Sequence, residues 1–241
     1  MNPHPSRSRP LRCLAAAEAL RQACDFPRQP YFRALIQGGM SREVFLESQR
    51  HFAHAVAFFP RPMAALVARL PDPRQRLDLL RNLVEEHGDF REEAFHISSF
   101  RDFLTRLGGV EAAELPPLPP ALHAFQAALS GSCSFDELET GLACLGFIEY
   151  AFAELSTLIA VAVVERGWIA PQELRHYRLH ARIDEEHAAE FFMVIESAWD
   201  EPERRIHVER GLALGAQLFR RLYDDLAEVK PMSGQGLALH A

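Results

Sequence analysis

The chain has 241 residues, 48% hydrophobic and 24% charged, enough for one large domain whose core needs neither metal nor disulfide to hold it together. A net charge of −7 without a dense Lys/Arg patch argues against a nucleic-acid partner. Lys230 is the only lysine, which excludes most lysine-based chemistry. Along the chain, Met1 to Pro10 is polar and lacks the apolar stretch of a signal peptide. Apolar residues then recur at three- and four-residue spacing with no alternating strand, so an all-α fold is expected. The spacing predicts helices over 11–24, 29–37, 41–69, 73–87, 90–107, 119–130, 134–166, 171–198 and 202–228. Pro71-Asp72-Pro73, Gly108-Gly109 and the run Pro116 to Pro120 mark breaks. Ser134 and Glu137 form a capping-box pattern before the long apolar helix. Gly167 closes that helix, and Pro171 suits the first turn of the next.

The run at 116–120 could divide two domains, but each side looks like half a bundle. One helical domain over 29–228 is therefore expected, preceded by an extension with a helix (1–28) and followed by a flexible Gly-rich tail (229–241). There is no internal repeat. Cys13, Cys24, Cys133 and Cys144 form no C-x-x-C pair and read as reduced cytoplasmic thiols. Gly141 to Val164 is long and apolar enough to raise the question of a membrane span. Glu149 and Glu154 interrupt it and no basic flank accompanies it, so a buried core helix is expected, with no membrane partner.

Three segments carry chemistry. On a helix, His180, Asp184 and His187 fall within about 60° of arc, so their side chains project to one place. Ile183, Ala188 and Phe191 flank that face, whereas Glu185, Glu186 and Glu190 read as a solvated stripe. A buried His-Asp-His trio without a counter-ion is costly, and a divalent cation offsets that cost; the alternative is a surface His–Asp pair. Glu149 stands among apolar neighbours where Glu154, about 140° around the helix, can face water. A carboxylate so placed is paired with a core arginine or bound to metal. Finally, the stretch Asn82 to His96 joins acids to a histidine across a break at Gly88, and either Glu86 or Glu93 could accompany His96. Three carboxylates and three imidazoles suit Fe(II) or Mn(II) better than copper or structural zinc.

Through these residues the chain resembles the heme-oxygenase-like diiron oxidases, seven-helix-bundle relatives of thiaminase II and pyrroloquinoline-quinone synthase. The resemblance runs from about Pro30 to Leu226. It includes Pro30-Tyr31-Phe32-Arg33, Ser41-Arg42-Glu43, Ser48 to Phe52 and Phe58-Phe59-Pro60. Further along it includes Asn82 to His96, Glu149, and His180-x3-Asp184-x2-His187. It implies a heme-oxygenase-like seven-helix bundle with Glu86, His96, Glu149, His180, Asp184 and His187 holding two irons (manganese being the other candidate) and Glu93 in reserve. The relative that makes p-aminobenzoate from its own side chains needs a tyrosine and a lysine, where this chain has Phe32 and Ile159. A thiaminase would need a nucleophilic cysteine; Cys144 lies on the right helix, but thiaminases lack the His/Asp/His set.

The expected function is O2 activation at a nonheme diiron centre that oxidises a small amine, amino acid or fatty acid, with no catalytic residue beyond the ligands. Tyr150 and Phe152 are the expected substrate-binding residues, and Phe58, Phe59, Phe147 and Phe191 further pocket candidates. His51 and His54 could line a pocket, and Arg178 and Arg182 could receive a carboxylate, though surface placement suits all four. A cytoplasmic homodimer is expected. The competing readings are a metal-free oxidase similar to pyrroloquinoline-quinone synthase and a binding protein without turnover.

Overall fold

The computed structural model describes residues 11–230; the expectations for Met1 to Pro10 and for the tail beyond Lys230 fall outside it. The described residues are all-α, with no strand among them. The helices are α1 (Arg12–Cys24), α2 (Pro30–Ile36), α3 (Arg42–Phe58), α4 (Pro60–Arg69), α5 (Pro73–Glu86), α6 (His96–Gly108), α7 (Pro120–Phe135), α8 (Leu138–Glu165), α9 (His176–Ile195) and α10 (Pro202–Ala227).

Five boundaries differ substantially from the sequence expectation, each for a local reason. The helix predicted from residue 90 begins only at His96, because Gly88, Asp89 and Phe90 are left-handed and cannot continue a helix. The predicted helix over 41–69 divides at Phe59, because Pro60 brings no N–H to continue the ladder and instead opens α4. Helix α7 runs on to Phe135, past the predicted capping box. There Arg69 of α4 donates to the carbonyls of Cys133 and Asp136, which are among the helix-end acceptors that need an outside donor. Helix α8 consequently begins at Leu138 with no side-chain cap. Pro171 sits in a turn, with Arg178 donating to its carbonyl (3.0 Å), and α9 starts only at His176. The close of α8 is as expected: Gly167 is left-handed, its N–H bonds Val164 O and that of Trp168 bonds Val163 O, a Schellman closure.

Helix α8 is the axis of the bundle, packed along α9 and α10. It is apolar and long enough to cross a membrane, but 61% of its most apolar window is buried inside the bundle. Leu145, Phe147, Leu155 and Ile159 on it are wholly buried, each contributing roughly 1.5–3 kcal/mol of hydrophobic stabilisation. Gly146 is required where α9 crosses: a Cβ there would sit 2.9 Å from the Phe192 ring and 3.0 Å from Phe191 Cβ. Helix α1 docks against α8, α9 and α10, with Arg12 paired to Glu196 and Asp200 and Arg21 to Glu18 and Glu154. All four cysteines are buried and unpaired.

Candidate metal centre

Helices α5, α6, α8 and α9 bring the six predicted ligands together. Helix α9 buries its motif face, with Asp184 fully enclosed and His180 and His187 nearly so. Helix α8 supplies Glu149 from the apolar stretch, also buried. The fourth side depends on the α5–α6 connection, where Gly88, Asp89 and Phe90 all have positive φ (57°, 53° and 64°). A Cβ on Gly88 would lie 2.4 Å from the Ala94 carbonyl carbon, so only glycine fits this reversal. The reversal sets Glu86, at the end of α5, against His96, at the start of α6, with His96 Nδ1 donating to Glu86 Oε1 at 2.8 Å. Glu93, the reserve ligand, is exposed in a short 3-10 turn and does not join the cluster. The choice left open by the sequence therefore falls on Glu86.

Donor atoms of Glu86, Glu149 and His187 lie within 4.8 Å of one another. His180 Nδ1 donates to Asp184 Oδ1 (2.8 Å), and His187 Nε2 donates to Glu85 Oε2 (2.8 Å). Four buried donor atoms are left without any partner: Glu149 Oε1, His180 Nε2, Asp184 Oδ2 and His187 Nδ1. The His96 and His180 rings are 4.7 Å apart, centroid to centroid.

The electrostatics are those of a site built for a cation. Burial, then the nearby Asp184, Glu86 and Glu190 charges, raises the Glu149 carboxyl well above its usual range. Burial likewise raises Asp184, reinforced by Glu86. Burial opposes ionisation of Glu86, but the His96 hydrogen bond and the charges of His96, His180 and His187 together outweigh it and hold Glu86 low; against its own burial, His96 is held high by the Glu86 hydrogen bond together with the charges of Glu86, Asp184 and Glu85. His180 is lowered to about 3 by burial and by His96. Hard carboxylate oxygens with imidazole nitrogens, buried and in four cases without a partner atom, fit Fe(II) or Mn(II). The residues present therefore fit a metal, with Glu86, His96, Glu149, His180, Asp184 and His187 as the side chains to hold it.

The cluster lines a chamber with a cavity volume of about 50 Å³. Its walls are Phe52, Ala55, Val56, Phe59, Phe125, Ile148, Phe152, Phe219 and Leu222, and its polar lining among the described residues is Glu86, His96, Glu149, His176 and His180. Phe152 and Phe59 line the chamber. Tyr150 does not line it: the tyrosine lies on another side of α8, where its hydroxyl donates to Glu18 of α1 at 3.0 Å. Phe147 and Phe191 are core residues, and Phe58 stacks under Arg61. His54 pairs with the Pro116 carbonyl, His51 with Glu47, and Arg182 is exposed. Cys144 is buried away from the chamber lining, its thiol pushed up by burial. Glu190 departs from the expected solvated stripe: it is half-buried, and burial followed by the Asp78 charge raises it to about 7.

Two polar side chains beside the cluster escape sequence reasoning. His176 continues the His180 spacing one turn back, a signal present in the sequence. Glu85, beside the expected Glu86, is half-exposed yet holds His187 through the nitrogen that faces away from the cluster.

The fold has well-matched solved relatives. A TenA homologue from Pseudomonas syringae pv. tomato DC3000 superposes with a TM-score of 0.71 at 15% identity, covering 93% of this chain and 99% of that one. A CADD-like protein of unknown function from Nostoc punctiforme PCC 73102 gives 0.70 at 17% identity, covering 90% and 98%. A domain of unknown function from Shewanella denitrificans OS217, with a heme oxygenase-like fold, gives 0.71 at 15% identity, covering 92% and 93%. The bundle is therefore heme-oxygenase-like. No functionally curated protein matches the chain. The profile of the iron-containing redox enzymes matches residues 46–220, a span that includes all six clustered side chains, and the chain belongs to that family.

Proposed function

We propose that this protein is an O2-dependent nonheme diiron oxidase or oxygenase acting on a small organic substrate. The observation that carries the reading is the convergence of four unpartnered, buried donor atoms, from Glu149, His180, Asp184 and His187, beside the Glu86–His96 pair. Bound iron would supply O2 reduction and the oxidising equivalents delivered to the substrate. The chain's own residues do the rest. Glu86, Glu149 and Asp184 provide three negative charges against the cations, and burial strengthens each of those attractions. Glu85 fixes the ring plane and tautomer of His187, and Asp184 does the same for His180. Phe52, Phe152 and Phe219 keep water from the reacting end of the chamber and hold the substrate against it.

The test is metal analysis of protein purified from iron-supplied cells, followed by O2 consumption across amines, amino acids and fatty acids. Two irons per chain, reduced in His180→Ala and Glu149→Gln, and O2 uptake stimulated by one compound class are expected. An iron-supplied wild type that holds no metal would sink the reading.

A further inference from the structure

Among the five polar side chains of the chamber, His176 is the one outside the predicted ligand set. It is 1% exposed, and its ring lies 4.3 Å from that of His180 and 4.8 Å from Phe100, centroid to centroid. The Ser99 hydroxyl on α6 lies 2.8 Å from both the His96 carbonyl and His176 Nδ1, and it has one hydrogen to give. With that hydrogen on the carbonyl, its oxygen accepts from His176 Nδ1, and Nε2 presents a bare lone pair. That atom is buried and has no partner.

We infer that His176 is a substrate-binding residue that accepts one hydrogen bond, with Ser99 as its positioning residue. The substrate is then apolar except for a single neutral donor at its reacting end, an alcohol O–H or an amide or amine N–H. The inference rests on the chamber being the substrate site of the proposed oxidase. A buried acceptor left unpaired is costly, and a ligand donor satisfies it. The other walls are hydrocarbon and aromatic, and among the described residues no lysine or arginine lines the chamber. A carboxylate or ammonium carried inside would find no counter-ion apart from the metal centre, which disfavours zwitterionic amino acids. The donor held by His176 is adjacent to His180, so the carbon bearing it is the part of the molecule presented to the metal.

The test compares 1-decanol with decyl methyl ether, similar in shape but without the donor, by calorimetry on metal-free protein and on anaerobic Fe(II)-loaded protein. Norleucine serves as a zwitterionic control. Wild type should bind the alcohol about tenfold tighter than the ether, the worth of one buried hydrogen bond, and norleucine weakly. In His176→Phe the ratio should fall to about one while the ether still binds; His176→Gln, which offers a carbonyl acceptor, should restore part of it. Ser99→Ala should lower the ratio without changing ether affinity, an effect that a merely structural role would not produce. Equal affinities in wild type, an unchanged ratio in His176→Phe, or no binding of either probe would overturn the inference. Iron content that falls in His176→Gln would make His176 a ligand and overturn it as well. The metal-free arm does not depend on iron, so failure here is distinguishable from failure of the diiron reading.

Discussion

His187 Nε2 and Glu85 Oε2 meet at 2.8 Å across the α5–α9 contact, although Glu85 is half-exposed and its neighbour Glu86 turns inward. Two adjacent glutamates at the end of one helix thus divide the work, one facing the cluster and the other orienting a histidine from outside. Outer carboxylates of this kind hold a ligand ring in place and raise its basicity.

Removal of that carboxylate should weaken metal binding while leaving the fold intact. Glu85→Gln is expected to reduce iron affinity roughly 10–100-fold, the range seen for such orienting partners, with a thermal midpoint for the metal-free chain within a few degrees of wild type. Competition of the two proteins against a chelator measures it. An unchanged affinity would show that His187 is held without Glu85.

The metal-free protein should gain stability from losing its central carboxylate. Glu149 Oε1 has no hydrogen-bond partner, and burial raises the carboxyl well above its usual range. Glu149→Gln removes the possibility of a buried charge with little change in shape. It should stabilise the metal-free chain by about 1–2 kcal/mol and abolish the stabilisation that Fe(II) gives wild type. Denaturant titrations with and without Fe(II) under nitrogen decide it; a destabilised metal-free variant would mean that Glu149 is satisfied in some other way.

What sequence can and cannot reveal follows from the range of each interaction. The His180–Asp184–His187 face lies within two turns of one helix, so spacing alone suffices. Glu149 is legible because an apolar run leaves a carboxylate no local escape. Glu86 and Glu93 cannot be separated, because the choice depends on three consecutive left-handed residues after His87. Of these only Gly88 announces itself in sequence, while Asp89 and Phe90 do not. Tyr150 reads as a substrate residue because nothing near it in sequence offers a partner; Glu18, which takes its hydroxyl, lies 132 residues away. His176 escapes notice although it obeys the same four-residue rule, since Pro171 suggests an earlier helix start and leaves it an ordinary interior position.

The pH dependence of stability should depend on whether metal is bound. In the metal-free chain, Glu149 and Asp184 have folded-state pKa values above their ordinary ones, so the native state holds more protons than the unfolded state, and stability falls as pH rises through that range. His96, raised by Glu86, adds to this loss above its ordinary value of 6.5. His180, lowered to about 3, works oppositely: the unfolded chain binds its proton below 6.5 and the native chain does not, so stability falls as pH drops from 6.5 towards 3. Glu86 acts only below 4.5. Above pH 6.5 His96 and the raised carboxylates act in the same direction, while His180 no longer contributes a change. The metal-free protein should therefore lose up to about 1.4 kcal/mol per pH unit for each proton involved. With metal bound these groups are already deprotonated and the profile should flatten. Denaturation midpoints at pH 6.5 and 8 test the slope, and proton release on metal binding, measured in buffers of different ionisation enthalpy, tests its origin.

Gly88 offers the sharpest test of how the site is assembled. Alanine there must adopt φ of +57° and place its Cβ 2.4 Å from Ala94 backbone, whereas a methyl carbon at Gly167, where φ is +65°, would have nothing within 4 Å. Both substitutions carry the left-handed penalty of about 1 kcal/mol, but only Gly88→Ala also forces the 88–94 backbone to move. It should cost roughly 2–3 kcal/mol more than Gly167→Ala, as strained sites do. The movement would separate His96 from Glu86, since that turn joins the end of α5 to the start of α6. Iron content should consequently drop in Gly88→Ala and stay at the wild-type level in Gly167→Ala, even at temperatures where both are fully folded by circular dichroism. Equal iron content in the two variants would mean that the Glu86–His96 pairing does not depend on the turn, and that α6 is positioned by its packing against α3 instead.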